Sequence, residues 1–499
     1  MFRYRLDGYW CLMTKLRSVK FNAVMNTLLT ASNMIVNLIT VPYVTRVLSV
    51  EGYGNVTFAQ SISTWLSALC LMGVGTYGIR ECAKARDNQR ELATTVRELL
   101  TIVSVCTTVV LSVFAVSIGL VPRLKELDSL MWLFLGSTLL LSYGVEWFFQ
   151  ALEQYRYITI RSILFKTTSL VLTFLLVREP TDWLLYGLLV ALVTCGNNIL
   201  NLIRLVRTVD WSLAGPVNVR RHLKPLMSFA CLSIASSVYI NLDSVILGFS
   251  CPDNYEVGLY QLAVKIKGVT WSVLNAVLAV FIPRLSHCYA VGEEGQFDTL
   301  LKKGALFTLN VSVALCGFLA VAGDTVSIFI SGPDFAPAAM SVRIIGAVNL
   351  FSSLNYFIGL CILTPSGREN QLAIGNLLGV PVSLVLNYTL DPMMGAVGAA
   401  ISIFVAELLI FIYQFRCIRA MRSMLFPMSN CVKIMVGNMC AIAVTVIVTR
   451  MLMGTSILLL VSAQLIAYFI TLILMLIATG ENLAKAAFQR LGNEPNAGA

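Results

Sequence analysis

Residues 21–46 read FNAVMNTLLTASNMIVNLITVPYVTR. No charge interrupts the stretch before Arg46. As a helix rising 1.5 Å per residue it is about 39 Å long, enough to cross a hydrocarbon layer of about 30 Å. Its polar residues are not scattered. Asn22, Asn26, Asn33 and Asn37 fall within about 60° of one another around the helix, and Thr40 returns to the same azimuth. One stretch thus predicts both a membrane-crossing helix and a polar stripe along it.

The rest of the chain repeats the first feature. Its 499 residues are 57% hydrophobic and 12% charged, with mean hydropathy +0.80. A soluble fold carries about 25% charged residues. A cytosolic enzyme, a nucleic-acid-binding domain and a disordered chain are therefore excluded, and lipid is the main solvent. Fourteen spans are expected, at 21–46, 55–78, 98–120, 129–151, 159–177, 183–206, 225–248, 257–283, 304–325, 339–364, 370–390, 395–416, 430–450 and 456–479. The runs are long and lack a period of two, so they predict α-helices rather than a barrel.

Net charge is +10, from 36 Lys+Arg and 26 Asp+Glu. With the N-terminus inside, 27 of the 36 basic residues fall on cytoplasmic segments, and five (Arg46, Arg123, Lys125, Arg178, Arg450) at outer positions. This bias puts both termini in the cytoplasm. It also removes nucleic acid as the reason for the charge. The 13 Cys form no CxxC pair and the chain has only 2 His, so neither a disulfide framework nor a metal site is expected. No signal-peptide cleavage site is read at the N-terminus. No loop is long enough to form a domain.

An internal repeat organises the spans. Glu51-Gly52-Tyr53-Gly54, then Ala59, matches Glu256-Val257-Gly258, then Ala263, at an offset of 204 residues. At the same offset Asn33, Asn37 and Thr40 fall on Ser237, Asn241 and Ser244, while Thr57 and Ser61 fall on Gln261 and Lys265. An offset of six spans keeps both copies in the same orientation. The expected organisation is an N-terminal six-helix lobe at 1–206, a second at 207–416, and an additional pair with a tail at 417–499.

Each lobe opens with two striped helices: Asn22 to Thr40; Thr57, Gln60, Ser61, Thr64 and Ser67; Ser233, Ser237, Asn241 and Ser244; Gln261, Lys265, Ser272 and Asn275. Two readings stay open. The stripes are either glue between packed helices or the wall of a hydrated cavity. Charges inside spans sharpen the question, because intramembrane charge is costly and usually functional. Lys265 lies on a stripe, about 12–15 Å into its helix. It is either a cavity cation or the partner of Asp243. Lys267 points about 200° away. Arg343 and Lys166 lie near span ends, within snorkelling reach of the interface. Asp243 and Glu407 either carry a coupling cation or pair with a base, and Glu146 is a further acidic candidate. Arg46 and Arg80, at span ends, are interfacial or grip a head group. No nucleophile elbow, P-loop or zinc spacing is present, so no catalytic or metal-ligating residue is named.

Pro42-x3-Arg46-x-Leu48, Tyr53-Gly54, Gly75 and Arg80-Glu81, together with Asp243, Gly258-Leu259-Tyr260, Lys265-Ile266 and Pro283-Arg284-Leu285-Ser286, resemble the polysaccharide-exporting flippases of the MOP (multidrug/oligosaccharidyl-lipid/polysaccharide) superfamily. The resemblance implies an all-α polytopic protein of V shape, similar to the MATE transporters. It further implies alternating access and movement of undecaprenyl-diphosphate-linked oligosaccharide across the bacterial cytoplasmic membrane, for O-antigen, capsule or exopolysaccharide assembly. Cavity cations would hold the diphosphate. The substrate set is then Lys265, Lys267, Arg343, Lys166, Asn33, Asn37, Asn241, Gln261, Arg46 and Arg80. The implied partners are the polyprenyl-linked oligosaccharide, membrane lipid, a polysaccharide polymerase and a chain-length regulator. No cofactor is expected beyond an H+ or Na+ gradient. Three rivals remain: a multidrug cation antiporter of the same superfamily, which favours acidic cavity residues; a membrane oligosaccharide polymerase or ligase, which needs a long outer loop; and a structural scaffold.

The two readings of the first stripe separate experimentally. Single cysteines at Asn26, Asn33 and Asn37 in a cysteine-depleted variant should react with a water-soluble maleimide. Inertness at all three under every condition supports the glue reading.

Overall fold

The computed structural model describes residues 19–481, except the side chains of residues 19–20, 232, 235–236, 238–241, 273, 276–277 and 279–280. Both terminal segments, with their expected cytoplasmic placement, lie outside the described residues. The described chain is helical throughout. Its main helices are α1 (Val19–Val47), α2 (Val50–Leu71), α3 (Val74–Ala85), α4 (Gln89–Leu120), α5 (Asp128–Ser142), α6 (Glu146–Ala151), α7 (Tyr155–Leu176), α8 (Trp183–Ala191), α9 (Asn197–Thr208), α10 (Arg220–Ser250), α11 (Tyr255–Val291), α12 (Glu294–Ser331), α13 (Ala339–Phe357), α14 (Glu369–Met394), α15 (Ala396–Cys417), α16 (Met428–Met451) and α17 (Ile457–Ala478). Among the described residues 11 helices are long and apolar enough to cross a membrane, or 12 when α2 and α3 count as one bent span. The protein is a multi-pass membrane protein.

Two sequence expectations change. First, several spans are broken rather than continuous. The second bends by 41° between α2 and α3. Met72 (φ 43°) and Gly73 (φ 77°) are both left-handed at that break. The fourth breaks at Val145 (φ 42°). The sixth and tenth carry wider π turns, Leu192–Gly196 and Ile358–Leu363. Second, the expected loop at 284–303 is mostly helix. Helix α11 has 37 residues and α12 has 38, joined by a turn at Gly292 (φ 78°). Each is about 55 Å long, well beyond the apolar layer. Hydropathy marks only the part that lipid solvates, so it cannot show where a helix continues into water.

The chain divides into two compact units, one up to Phe249 and the other from Ser250. Helix α10 belongs to the first, and the contacts explain why. At its start, Glu98 of α4 accepts from the Asn218 backbone N–H (2.8 Å), Arg221 Nε (2.8 Å) and His222 Nε2 (2.9 Å). The other His222 nitrogen, Nδ1, meets the Tyr77 hydroxyl of α3 at 2.8 Å. Midway, the break at Gly73 lies against the α10 backbone at Phe229. At the far end the Gly248 carbonyl accepts from Arg123 Nε at 3.0 Å, and Phe249 stacks edge-on to Phe58 at 5.4 Å.

The second unit relies on small residues. Along α14 the buried positions are Gly375, Gly379, Ser383, Asn387 and Asp391, one every fourth residue. On α15 the buried residues include Gly398, Ala399, Ser402 and Ala406. A Cβ at Gly398 would lie 2.6 Å from the Leu390 carbonyl oxygen. Between membrane helices, where lipid is as apolar as Leu, such close backbone approach supplies the packing energy. The repeat positions Gly54 and Ala59 near the start of α2, and Gly258 and Ala263 near the start of α11, are all buried.

Gly73 is required twice over, by its positive φ and by space. A Cβ there would sit 2.5 Å from the Phe229 carbonyl carbon. Gly73→Ala should destabilise the protein by about 2–3 kcal/mol or more. A lower thermal midpoint in detergent reports this; an unchanged midpoint contradicts the close approach.

Candidate functional site

In the first unit, α1 carries exposed residues on two opposite faces. Val24, Leu28, Ile35, Leu38 and Ile39 form an exposed apolar face. Asn26, Asn33 and Asn37 are exposed about 180° away. Among the described residues these three amide side chains make no hydrogen bond, so the first stripe does not act as glue within its unit. Helix α7 packs on a flank between the two faces. There Lys166 Nζ donates to Ser32 Oγ (3.3 Å) and Thr159 Oγ1 to the Met25 carbonyl (3.0 Å). The stripe's first member differs. Asn22 is buried and donates to Glu153 at 3.2 Å.

The α2 stripe behaves differently again. Thr57, Ser61, Thr64 and Ser67 donate to backbone carbonyls of their own helix at 2.8–3.1 Å. The cross-helix bond in this region comes from a residue off the stripe, Ser63, paired with Thr138 at 2.7 Å.

Near Lys166 lies a cluster built on Arg161, which is 4% exposed on α7. It donates to Glu146 at 3.2 Å, and its guanidinium lies 5.2 Å from the Tyr157 ring centroid. Arg204 covers the same ring at 3.9 Å. Glu146 therefore pairs with Arg161 and lies within electrostatic reach of Lys166. The burial of Arg161 is offset by the Glu146 carboxylate and the Tyr157 ring.

Arg80 lies inside α3, bound to Glu81 at 2.9 Å and 5.1–5.2 Å from the Tyr77 and Phe229 ring centroids. Arg46 is exposed in the last turn of α1, where a cation favours the helix dipole. Asp243 is buried in α10. The Asn241 side chain lies outside the described residues. The buried Glu98–His222–Tyr77 group was missed altogether. Its one sequence signal was a carboxylate, Glu98, at the first position of an expected span.

Outside the spans, Asp182 accepts from the Arg178 and Glu179 backbone N–H groups, both at 2.9 Å. These two bonds hold its carboxyl below the usual carboxylate range.

In the second unit, Gln261 is buried and Lys265, one turn on, is half-buried. Among the described residues the Lys265 side chain makes neither an ion pair nor a hydrogen bond. Lys267 is also half-buried and without such a partner among the described residues. Further along the Lys265 face, Asn275 accepts from the Tyr356 hydroxyl at 2.9 Å. Arg343 is paired instead with Asp324 of α12. Glu407 is 5% exposed on α15 and accepts from Ser352 and Asn355 of α13. No group of three or more His, Cys, Asp or Glu positioned to hold a metal ion occurs among the described residues.

Comparison with known proteins gives this geometry a context. The family described as polysaccharide biosynthesis protein matches residues 19–288. Two curated relatives are both named putative O-antigen transporter. The one from Shigella dysenteriae is 26% identical over 407 residues, covering 80% of this chain and 100% of its own. The one from Escherichia coli (strain K12) is 24% identical over 402 residues, covering 79% and 95%. Among solved structures, a lipid II flippase, MurJ, in an inward closed conformation matches with a TM-score of 0.66 at 12% identity, covering 91% of this chain and 99% of that one. An inward-facing MATE multidrug resistance transporter of the MOP superfamily matches at 0.60 and 12%, covering 81% and 99%. At that identity these two likenesses establish the fold.

Glu98 holds the start of α10 with three neighbouring donors while itself 1% exposed. Its removal strands the buried His222 donor, while the exposed Arg221 and Asn218 donors turn to water, at a cost of about 1–3 kcal/mol. Glu98→Ala should lower the thermal midpoint sharply; a midpoint equal to the wild type's contradicts this anchoring.

Proposed function

The chain belongs to the polysaccharide biosynthesis protein family, and from that premise we propose that it is a flippase for undecaprenyl-diphosphate-linked oligosaccharide repeat units. The observation that carries the substrate class is Lys265. A cation about 14 Å along α11, on the face that also carries Gln261 and Asn275, with no ion pair among the described residues, is costly to keep. A diphosphate supplies the missing counter-charge and repays the desolvation of the ammonium. Lys267 of the same helix adds positive charge. The unbonded amides Asn33 and Asn37 of the first unit offer hydrogen bonds to sugar hydroxyls.

In this reading the protein works by alternating access in the cytoplasmic membrane with both termini inside. Helices α10 and α11 add to the spans already counted, giving fourteen. A polysaccharide polymerase and a chain-length regulator act on the exported units. The relatives named O-antigen transporters, which align over about four-fifths of the chain, favour this reading over the multidrug one. The fold is common to both classes and does not separate them.

Lys265→Ala should reduce surface glycan at least tenfold at equal membrane abundance, with lipid-linked repeat units accumulating; Lys265→Arg should retain part of the export. Full export by the alanine variant overturns the assignment of Lys265 to the diphosphate.

A further inference from the structure

Arg161 and Arg204 reach one aromatic ring from different helices. The Tyr157 ring centroid lies 5.2 Å from the Arg161 guanidinium carbon and 3.9 Å from that of Arg204. Arg161 shares α7 with Tyr157, one turn further on, and Arg204 belongs to α9. Both helices reach the edge of their apolar stretch close by: α7 starts at Tyr155 and α9 stops at Thr208. Arg161 is six residues, about 9 Å, from the start of α7. Arg156 and Arg207, nearer these helix ends, are exposed.

Each guanidinium uses only half of its hydrogen-bonding edge. The Nε–H and one Nη2–H of an arginine point the same way and take two oxygens of a carboxylate or phosphate together. In Arg204, Nη2 donates to Gln154 Oε1 at 3.0 Å, a single neutral oxygen, and Nε has no partner among the described residues. In Arg161, Nη2 donates to Glu146 Oε2 at 3.2 Å, while Nε and Nη1 have none. The other Glu146 oxygen accepts from Gln150 Nε2 at 3.2 Å. Gln154 Nε2 is likewise buried and unpartnered among the described residues. The unanswered buried nitrogens of Arg161, Arg204 and Gln154 are all donors, and buried donors without an acceptor are rare and costly. The charge balance points the same way. Arg161, Arg204 and Lys166 share one carboxylate, Glu146, because Glu153 is held by Arg86 and Asn22, each at 3.2 Å.

An anion that only accepts hydrogen bonds answers such a donor set. Phosphate fits it well: its oxygens match the paired N–H groups of a guanidinium, and one further oxygen suits an amide N–H. A water molecule brings no charge to offset the two guanidiniums. Gln154 is the side chain that can give way. One bond from Arg204 holds its oxygen and nothing holds its amide nitrogen, so a turn of this side chain clears the Nε–Nη2 edge of Arg204 and frees the amide to donate to the ligand. Exposed apolar side chains lead away from this end along both helices, Ile160 and Leu164 on α7 and Ile203 and Ile199 on α9. They offer a surface for acyl chains below a phosphate head.

We propose that Arg161, Arg204 and Gln154 form a phosphate-binding site at this end of the first unit, filled by the headgroup of an anionic phospholipid or by free phosphate. The site does not involve Lys265, which belongs to the second unit, and does not rest on the flippase reading. Purified full-length protein in a neutral detergent is titrated with phosphatidylglycerol, phosphatidylcholine or inorganic phosphate, and the ligand-dependent rise in thermal midpoint gives the affinity. Phosphatidylglycerol should stabilise the protein more than phosphatidylcholine does. Arg204→Gln should weaken binding about tenfold, the loss of a charge-assisted pair of bonds. Arg204→Lys should fall between, because an ammonium keeps the charge but not the paired N–H groups. Gln154→Glu sets a carboxylate against Arg204 in place of a ligand; it should raise the midpoint of the ligand-free protein and abolish the response. Stabilisation by phosphatidylglycerol alone identifies the lipid headgroup as the source, and stabilisation by inorganic phosphate identifies phosphate itself; both support the site. Stabilisation by both lipids alike, none by phosphatidylglycerol or phosphate, or a response unchanged in R204Q and Q154E overturns it. Should R204Q fail to fold, Q154E, which removes no cation, decides by itself.

Discussion

The constraint on which the structure depends is that lipid offers no hydrogen bonds. A polar group inside a span must find its partner in the protein. Most do so within their own helix. Thr57, Ser61, Thr308, Ser312, Ser327, Ser402 and Thr445 all donate to the carbonyl four residues back, at 2.6–3.0 Å. Such hydroxyls cost little and reveal little. The informative polar groups are those with no local solution: amides and charges, which are too long or too strongly solvated to be satisfied by one carbonyl.

These fall into two sets. One set is answered by a specific neighbour across helices, and it builds the units. Glu98 anchors α10, Glu146 receives Arg161, Asp324 receives Arg343, and Ser352 and Asn355 hold Glu407. The other set, Asn26, Asn33, Asn37, Lys265 and Lys267, makes no hydrogen bond or ion pair among the described residues. Many hydroxyls are satisfied within their own helix, whereas two ammonium groups find no counter-charge among the described residues.

Much was legible in advance because it follows from one-dimensional properties. Spans appear as runs of about 20 apolar residues, and stripes appear through the 100° advance per residue. The paired glycines and alanines at an offset of 204 are visible in the sequence as well, and all four are buried. The family resemblance was carried by short motifs clustered at these places, such as Tyr53-Gly54 and Gly258-Leu259-Tyr260.

The sequence alone determined a helical multi-pass protein, its approximate spans and its polar faces, since these depend on composition and period. Tertiary structure decided which polar groups are satisfied. It converted Arg343 from a free cation to one bonded to Asp324, buried Arg161 beside Glu146, and bent the second span at Gly73 to pass the α10 backbone. It extended α11 and α12 beyond the length of an apolar layer and left Lys265 without an ion pair among the described residues. The physical reason is that pairing is set by distance between helices that are remote in sequence. Periodicity fixes the side of a helix on which a residue lies, but not which helix stands opposite.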